Sequence, residues 1–219
     1  MMKWLQAGLA MALLAVNLGG SAQAQSATNP NINAQLLVAA RQGDLSALER
    51  SLGRGAAPNS RNRLGKTALL MAAEKGHAGI AERLMAAGAD VNLASLEGVT
   101  PLMAAAYGGH ASIAKKLLDA GARTEPIDRM KKPALIYAAG QGHAEVLAQL
   151  LDRGVPIDAA YEQQLTALMW AAGQGHAEAV KLLLSRGAKT DLRDDRGLTA
   201  GQIARQAGHA QIAQALAGR

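Results

Sequence analysis

Residues Gly98 to Met130, GVTPLMAAAYGGHASIAKKLLDAGARTEPIDRM, are the unit from which this chain is built. Shifted by 33 residues in either direction, the stretch meets its own likeness. Gly98-Val99-Thr100 falls on Gly65-Lys66-Thr67, and further along on Gln164-Leu165-Thr166 and Gly197-Leu198-Thr199. All five histidines, His77, His110, His143, His176 and His209, stand on the same ladder, and each follows a glycine. Spacing that survives every step without an insertion is the mark of an internal repeat. One such unit cannot bury its apolar face alone and needs neighbours stacked on it.

Each unit reads as two short helices. Leu69-Leu70-Met71-Ala72-Ala73 forms the first helix of one unit and Gly76 ends it, because glycine takes the left-handed turn without steric cost. Ile80, Ala81, Leu84 and Met85 then make one apolar helical stripe, closed by Gly88. Matching stripes are Ile113, Leu117, Leu118, then Val146, Leu150, Leu151, then Val180, Leu183, Leu184. Ala89-Asp90-Val91-Asn92 begins the extended finger into the next unit. In the first unit Asp44 takes the histidine's place and the threonine-proline pair is missing, as suits a terminal repeat. The last unit has Gly201-Gln202 where its neighbour has Leu168-Met169, and no finger follows Leu216, which marks a closing cap.

A period of 33 with Thr100-Pro101-Leu102 followed by Ala105 resembles the ankyrin-repeat family, and the likeness runs from Ile32 to the end. It implies an all-α solenoid of helix-turn-helix units with short β-turn fingers. The units are 32–64 (N-terminal cap), 65–97, 98–130, 131–163, 164–196 and 197–219 (C-terminal cap). The histidine of the family's T-P-L-H is absent, its slot holding Leu70, Met103, Ile136, Met169 and Gln202.

Composition agrees with stacked helices. Aromatics are 2% and phenylalanine is absent, so Ala, Leu, Ile, Val and Met must make the core, and small alanines let helices approach closely. There is no cysteine, so packing alone holds the fold. The formal charge of +6 is spread thinly, which argues against a nucleic-acid partner. Met1 to Ala24 has a single Lys3, an apolar run from Leu5 to Leu18, and small residues at the A-x-A positions ending in Ala24. That is the layout of an export signal peptide, with Gln25 as the expected mature N-terminus. The apolar run is shorter than the roughly 20 residues that span a bilayer. Gln25 to Asn31 is polar, contains Pro30 and reads as a linker. A bacterial periplasm is the expected destination, with no membrane attachment after cleavage.

Chemistry-bearing motifs are scarce. Ser60 to Thr67 mimics a phosphate-binding loop, but the leading glycine is missing and Lys66 is a finger residue. The histidines cannot share a metal, since stacked helices lie about 8–10 Å apart and ligands of one ion sit about 2 Å from it. Each imidazole is expected to bridge backbone groups between the two helices or between repeats. No metal, no cofactor and no catalytic activity is expected. Tyr137 and Trp170 share a repeat slot with Met71, Ala104 and Ile203, and at that slot packing between first helices is the expected role.

The pattern breaks in the fourth unit. Lys131-Lys132-Pro133 replaces Gly-x-Thr, Val155-Pro156-Ile157 replaces Ala-Asp-Val, and Gln164 opens the fifth unit in place of glycine. The family resemblance assigns binding to the concave face of fingers and first helices. The matching finger positions are Arg61, Arg63, Lys66, Leu96, Glu97, Val99, Arg129, Met130, Lys132, Glu162 and Gln163. On the helices they are Glu74, Lys75, Tyr107, Gln141 and Gln174. A monomer scaffolding or protecting a periplasmic protein is expected, a secreted redox enzyme being one client of the right kind. Two other readings are an effector that binds a host protein, and a binder of an anionic envelope polymer through Arg61, Arg63, Lys66, Arg129, Lys131 and Lys132.

Overall fold

Threonine opens most of the first helices, and its side chain is the reason they start where they do. Thr67, Thr100, Thr166 and Thr199 have extended backbones, and each Oγ1 accepts the N–H three residues on, at 3.2–3.4 Å. In the fourth repeat Pro133 holds the same backbone conformation but has no oxygen to offer. The computed structural model describes residues 30–217. The expected signal peptide and residues 25–29 of the expected linker lie outside the described residues. Pro30 and Asn31, which the linker included, are helical instead. Proline suits a first turn, where its missing N–H would have no intrahelical partner.

Twelve α-helices follow one another in six pairs among the described residues. They are α1 (Pro30–Gln42) with α2 (Leu45–Gly53), α3 (Ala68–Lys75) with α4 (Ala78–Ala86), and α5 (Pro101–Gly108) with α6 (Ala111–Asp119). Then come α7 (Ala134–Gly140) with α8 (Ala144–Asp152), α9 (Ala167–Gly173) with α10 (Ala177–Ser185), and α11 (Ala200–Gln206) with α12 (Ala210–Ala217). Each first helix packs on the next first helix from α1 to α11, and each second helix packs on the next from α2 to α10. The chain is thus an all-α solenoid. Its core is a continuous column in which Ala72, Ala105, Ala138, Ala171 and Ala204 stand on one rung of the ladder, each with no exposed surface. Leu84, Leu117, Leu150 and Leu183 form a parallel column from the second helices.

The histidine ladder ties repeats together. Nε2 of His77, His143 and His176 lies 3.3, 3.0 and 2.9 Å from the carbonyl oxygen of Arg41, Tyr107 and Gly140, each 36 residues back in the preceding repeat. A carbonyl only accepts, so each of these rings carries its proton on Nε2. The same rings lie against the left-handed glycines of the preceding turn, Gly43, Gly109 and Gly142. Between second helices, Arg153 pairs with Asp119 and Arg186 with Asp152, again one repeat apart.

Between helix pairs run five fingers, centred on residues 61–66, 94–99, 127–132, 160–165 and 193–198. Side-chain oxygens tie them. Oδ1 of Asn62, Asp128 and Asp194 each accepts two finger amides, and Ser95 Oγ accepts Val99 N–H. Single backbone bonds then join finger to finger: Leu96 to Leu64, Arg129 to Glu97, and Asp195 to Gln163. Among the described residues no such bond joins the third finger to the fourth. That gap coincides with the break in the repeat pattern.

Candidate partner-binding groove

The fourth finger is built differently because Tyr161 stands where the other fingers have Asn, Ser or Asp. A phenol on a longer side chain cannot fold back to accept the finger amides. The chain answers with a tight turn at Glu162–Gln164 in which Gln163 and Gln164 adopt φ of 61° and 58°. In the third finger Lys131 has φ of 55°, at a rung where Gly65, Gly98 and Gly197 occupy the same left-handed region. Each of these non-glycine residues holds backbone strain of about 1 kcal/mol. They are the three left-handed non-glycine residues among the described residues, and all lie in the third and fourth fingers.

A concavity of ≈530 Å³ opens beside them, across the first helices α3, α5, α7 and α9 and the second and third fingers. Its floor is apolar, with Met103, Ala104 and Ile136 among its lining residues, and Tyr107, Tyr137 and Trp170 add aromatic walls. The rings of Tyr107 and Tyr137 meet edge to face, with centroids 5.8 Å apart and planes at 81°. Lys132 Nζ sits 4.1 Å above the Trp170 ring, a cation–π contact. A second cleft of ≈190 Å³ fills the gap between the third and fourth fingers, lined by Tyr161, Glu162, Gln163 and Leu165. It shares Met130, Lys132, Ile136 and Trp170 with the larger concavity.

Beneath the rim, Asp128 is buried and does two things. Oδ1 holds the third finger, while Oδ2 accepts the Tyr137 hydroxyl. Burial pushes the Tyr137 phenol well above its ordinary range, and the hydrogen bond to the Asp128 carboxylate pushes it further. Burial also raises Tyr161.

Of the residues assigned to the binding face, Glu74, Lys75, Val99, Tyr107, Met130, Lys132, Gln141 and Gln174 line the large concavity together. Glu162 and Gln163 line the adjoining cleft. Arg61, Arg63, Lys66, Leu96, Glu97 and Arg129 line neither. Lys66 is paired with Glu74 at 2.6 Å, and Arg129 with Glu97 at 3.2 Å in the neighbouring finger. Tyr137 and Trp170 do more than the packing expected of them. Their inner edges pack on the core and their remaining surface lines the concavity. The signal available in the sequence was that two large rings share a slot with smaller residues in other repeats. No group of three or more His, Cys, Asp or Glu among the described residues is arranged to hold a metal. No described helix is long and apolar enough to cross a membrane.

A family model described as ankyrin repeats (3 copies) matches residues 36–128, 79–161 and 135–219, which together cover residues 36–219. No curated protein sequence matches the chain.

Proposed function

The chain belongs to the ankyrin-repeat family, and on that premise we propose that it is a non-catalytic module that holds a protein partner in the groove of the second to fifth repeats. The observation that carries this reading is the ≈530 Å³ concavity, apolar and aromatic at its floor with a polar and charged rim. Concave, mainly apolar surfaces with a few polar groups are what partners and ligands seat in, and aromatic residues and Met are enriched at such interfaces. Strain concentrated in the two fingers beside the groove supports the same reading, because strained backbone gathers at functional sites.

The setting we propose is the bacterial periplasm. The leader ending at Ala24 supports export, and the client is a periplasmic protein, a redox enzyme among the candidates. Recovery of the exported protein with Gln25 at its N-terminus is expected in mass spectrometry, and Met1 retained would overturn export by cleavage. Binding of an anionic envelope polymer is weakened by the pairing of Lys66, Arg129 and Lys131 with Glu74, Glu97 and Glu162.

Affinity capture from a periplasmic extract tests the groove. The unaltered chain and Lys181→Ala, on the second helix of the fifth repeat, should retain the same client. Tyr107→Ala with Met130→Ala should lose most of it, since an interface anchor contributes about 2 kcal/mol or more. Undiminished capture by the groove variant would place binding elsewhere.

A further inference from the structure

The charges around the groove do not balance, and the imbalance has a sign. Every acid of the large concavity and of the second, third and fourth fingers is already engaged. Glu74 holds Lys66, Glu97 holds Arg129, Glu162 faces Lys131 at 3.7 Å, and Asp128 is buried under Tyr137. Four cations on the same face, Arg61, Arg63, Lys75 and Lys132, have no carboxylate within ion-pair distance among the described residues. Lys75 and Lys132 line the large concavity itself. Lys132 stands where the concavity meets the finger cleft, with its ammonium on the Trp170 ring and no counter-ion. A carboxylate entering there gains a cation that stacks on a π face and has no carboxylate partner among the described residues.

Apolar slots recur along the same line. Tyr137 on α7 and Trp170 on α9 hold one rung of the ladder, and α7 packs directly on α9. Packed helices lie about 8–10 Å apart, and a chain extended in the polyproline II conformation advances about 3.1 Å per residue with about three residues per turn. Side chains three residues apart on such a segment therefore share one face and reach neighbouring slots. Gln141 and Gln174 on the adjoining rung are exposed and present amides to the backbone of such a segment.

We propose, resting on the groove as the binding site, that its occupant is an extended acidic segment of the partner protein. The segment places two apolar side chains three residues apart, one over Tyr107 and Tyr137 and one in the finger cleft beside Trp170. Carboxylates between and around them meet Lys75 and Lys132. The interfinger bond missing at this cleft leaves room for the second anchor.

Fluorescence anisotropy of a labelled, blocked decapeptide against the full chain tests this. The probe carries two leucines three residues apart among aspartates and serines. It should bind at least about tenfold more tightly than the same peptide with asparagine for aspartate, and than a poly-aspartate lacking leucine. Lys75→Gln with Lys132→Gln should weaken it by about tenfold, whereas Lys181→Gln, exposed on the second helix of the fifth repeat, should change it by less than about threefold. Circular dichroism checks that the variants fold. If the asparagine or a lysine-bearing peptide binds as tightly and Tyr107→Ala with Met130→Ala abolishes it, the groove reading stands and the acidic occupant is refuted. Poly-aspartate binding equally well would refute it too, since charge alone would suffice. If no peptide binds up to about 1 mM, the acidic segment is refuted and the groove reading rests on the capture experiment alone.

Discussion

Gly142→Val and Gly140→Ala lie two residues apart in one turn and should behave oppositely. Gly142 has φ of 75°, a region that costs a β-branched residue about 1–3 kcal/mol. A Cβ built there would stand 2.6 Å from Nδ1 and 2.7 Å from Cγ of His176. That ring cannot simply swing aside, because its Nε2 is bonded to Gly140 O at 2.9 Å. Displacing it forfeits a hydrogen bond worth about 0.5–1.5 kcal/mol. Together the effects come to about 3 kcal/mol. Gly140 ends α7 with no left-handed backbone, and its Cβ would meet Trp170 Cε3 at 3.5 Å, an ordinary contact. Alanine there should be neutral or stabilise the helix by up to about 1 kcal/mol. Urea unfolding followed by circular dichroism reads the difference. With a slope of about 2–3 kcal/mol per M for a chain of this size, Gly142→Val should lower the midpoint by about 1 M and Gly140→Ala should leave it or raise it. Gly154→Ala is the control, since φ is 80° but nothing lies within 4 Å, so it feels the backbone cost alone. Equal midpoints for the Gly142 and Gly140 variants would refute the register of the ladder. Equal losses for Gly142→Ala and Gly154→Ala would refute the role given to the histidine ring.

Other consequences follow from the fingers. Lys131→Gly and Gln164→Gly each remove a left-handed side chain and should stabilise the protein by about 0.5–1 kcal/mol, raising the urea midpoint; a lower midpoint would mean those side chains, not the strain, hold the fingers. Tyr137 keeps its proton above its ordinary range when folded, whereas an unfolded tyrosine releases it near about pH 10. The folded state therefore binds more protons above that pH, so this contribution to stability is complete below about pH 10 and is lost as pH rises further. Phenolate absorbance missing from Tyr137→Phe should emerge well above pH 10 in the parent and earlier in Asp128→Asn; identical titrations would dissolve the Asp128–Tyr137 pair.

The ladder was legible because its residue types have few other uses. Glycine before each histidine and threonine at the start of four first helices have one backbone role apiece, and that role recurs in register with the 33-residue period. The expected bridging of backbone groups is found at His77, His143 and His176, between repeats; which carbonyl each ring meets was not legible. His176 reaches Gly140 O because neighbouring repeats stack in register, a distance no spacing within one unit reveals. Loss of glycine at Lys131 and Gln164 marked two of the three strained positions, yet the consequence, a cleft between two fingers, depended on Tyr161, whose phenol cannot fold back to tie its turn. Half of the assigned binding residues gather at the concavity, while Arg61, Arg63 and Leu96 stay outside it on finger tips. Tyr137 packs on the core as expected; that its other side lines the concavity, with its hydroxyl on Asp128 nine residues back, was not legible from the repeat spacing. Pro30 likewise looked like a linker residue, although a helix's first position tolerates it well.

Site-specific photo-crosslinking in the living cell tests the central claim most directly. A photoreactive residue at Tyr107, which is 56% exposed in the groove, should yield one discrete adduct with a partner protein. The same residue at Glu145, exposed on the second helix of the fourth repeat, should yield none. An adduct from position 145 with none from position 107 would contradict the assignment of the groove as the binding site.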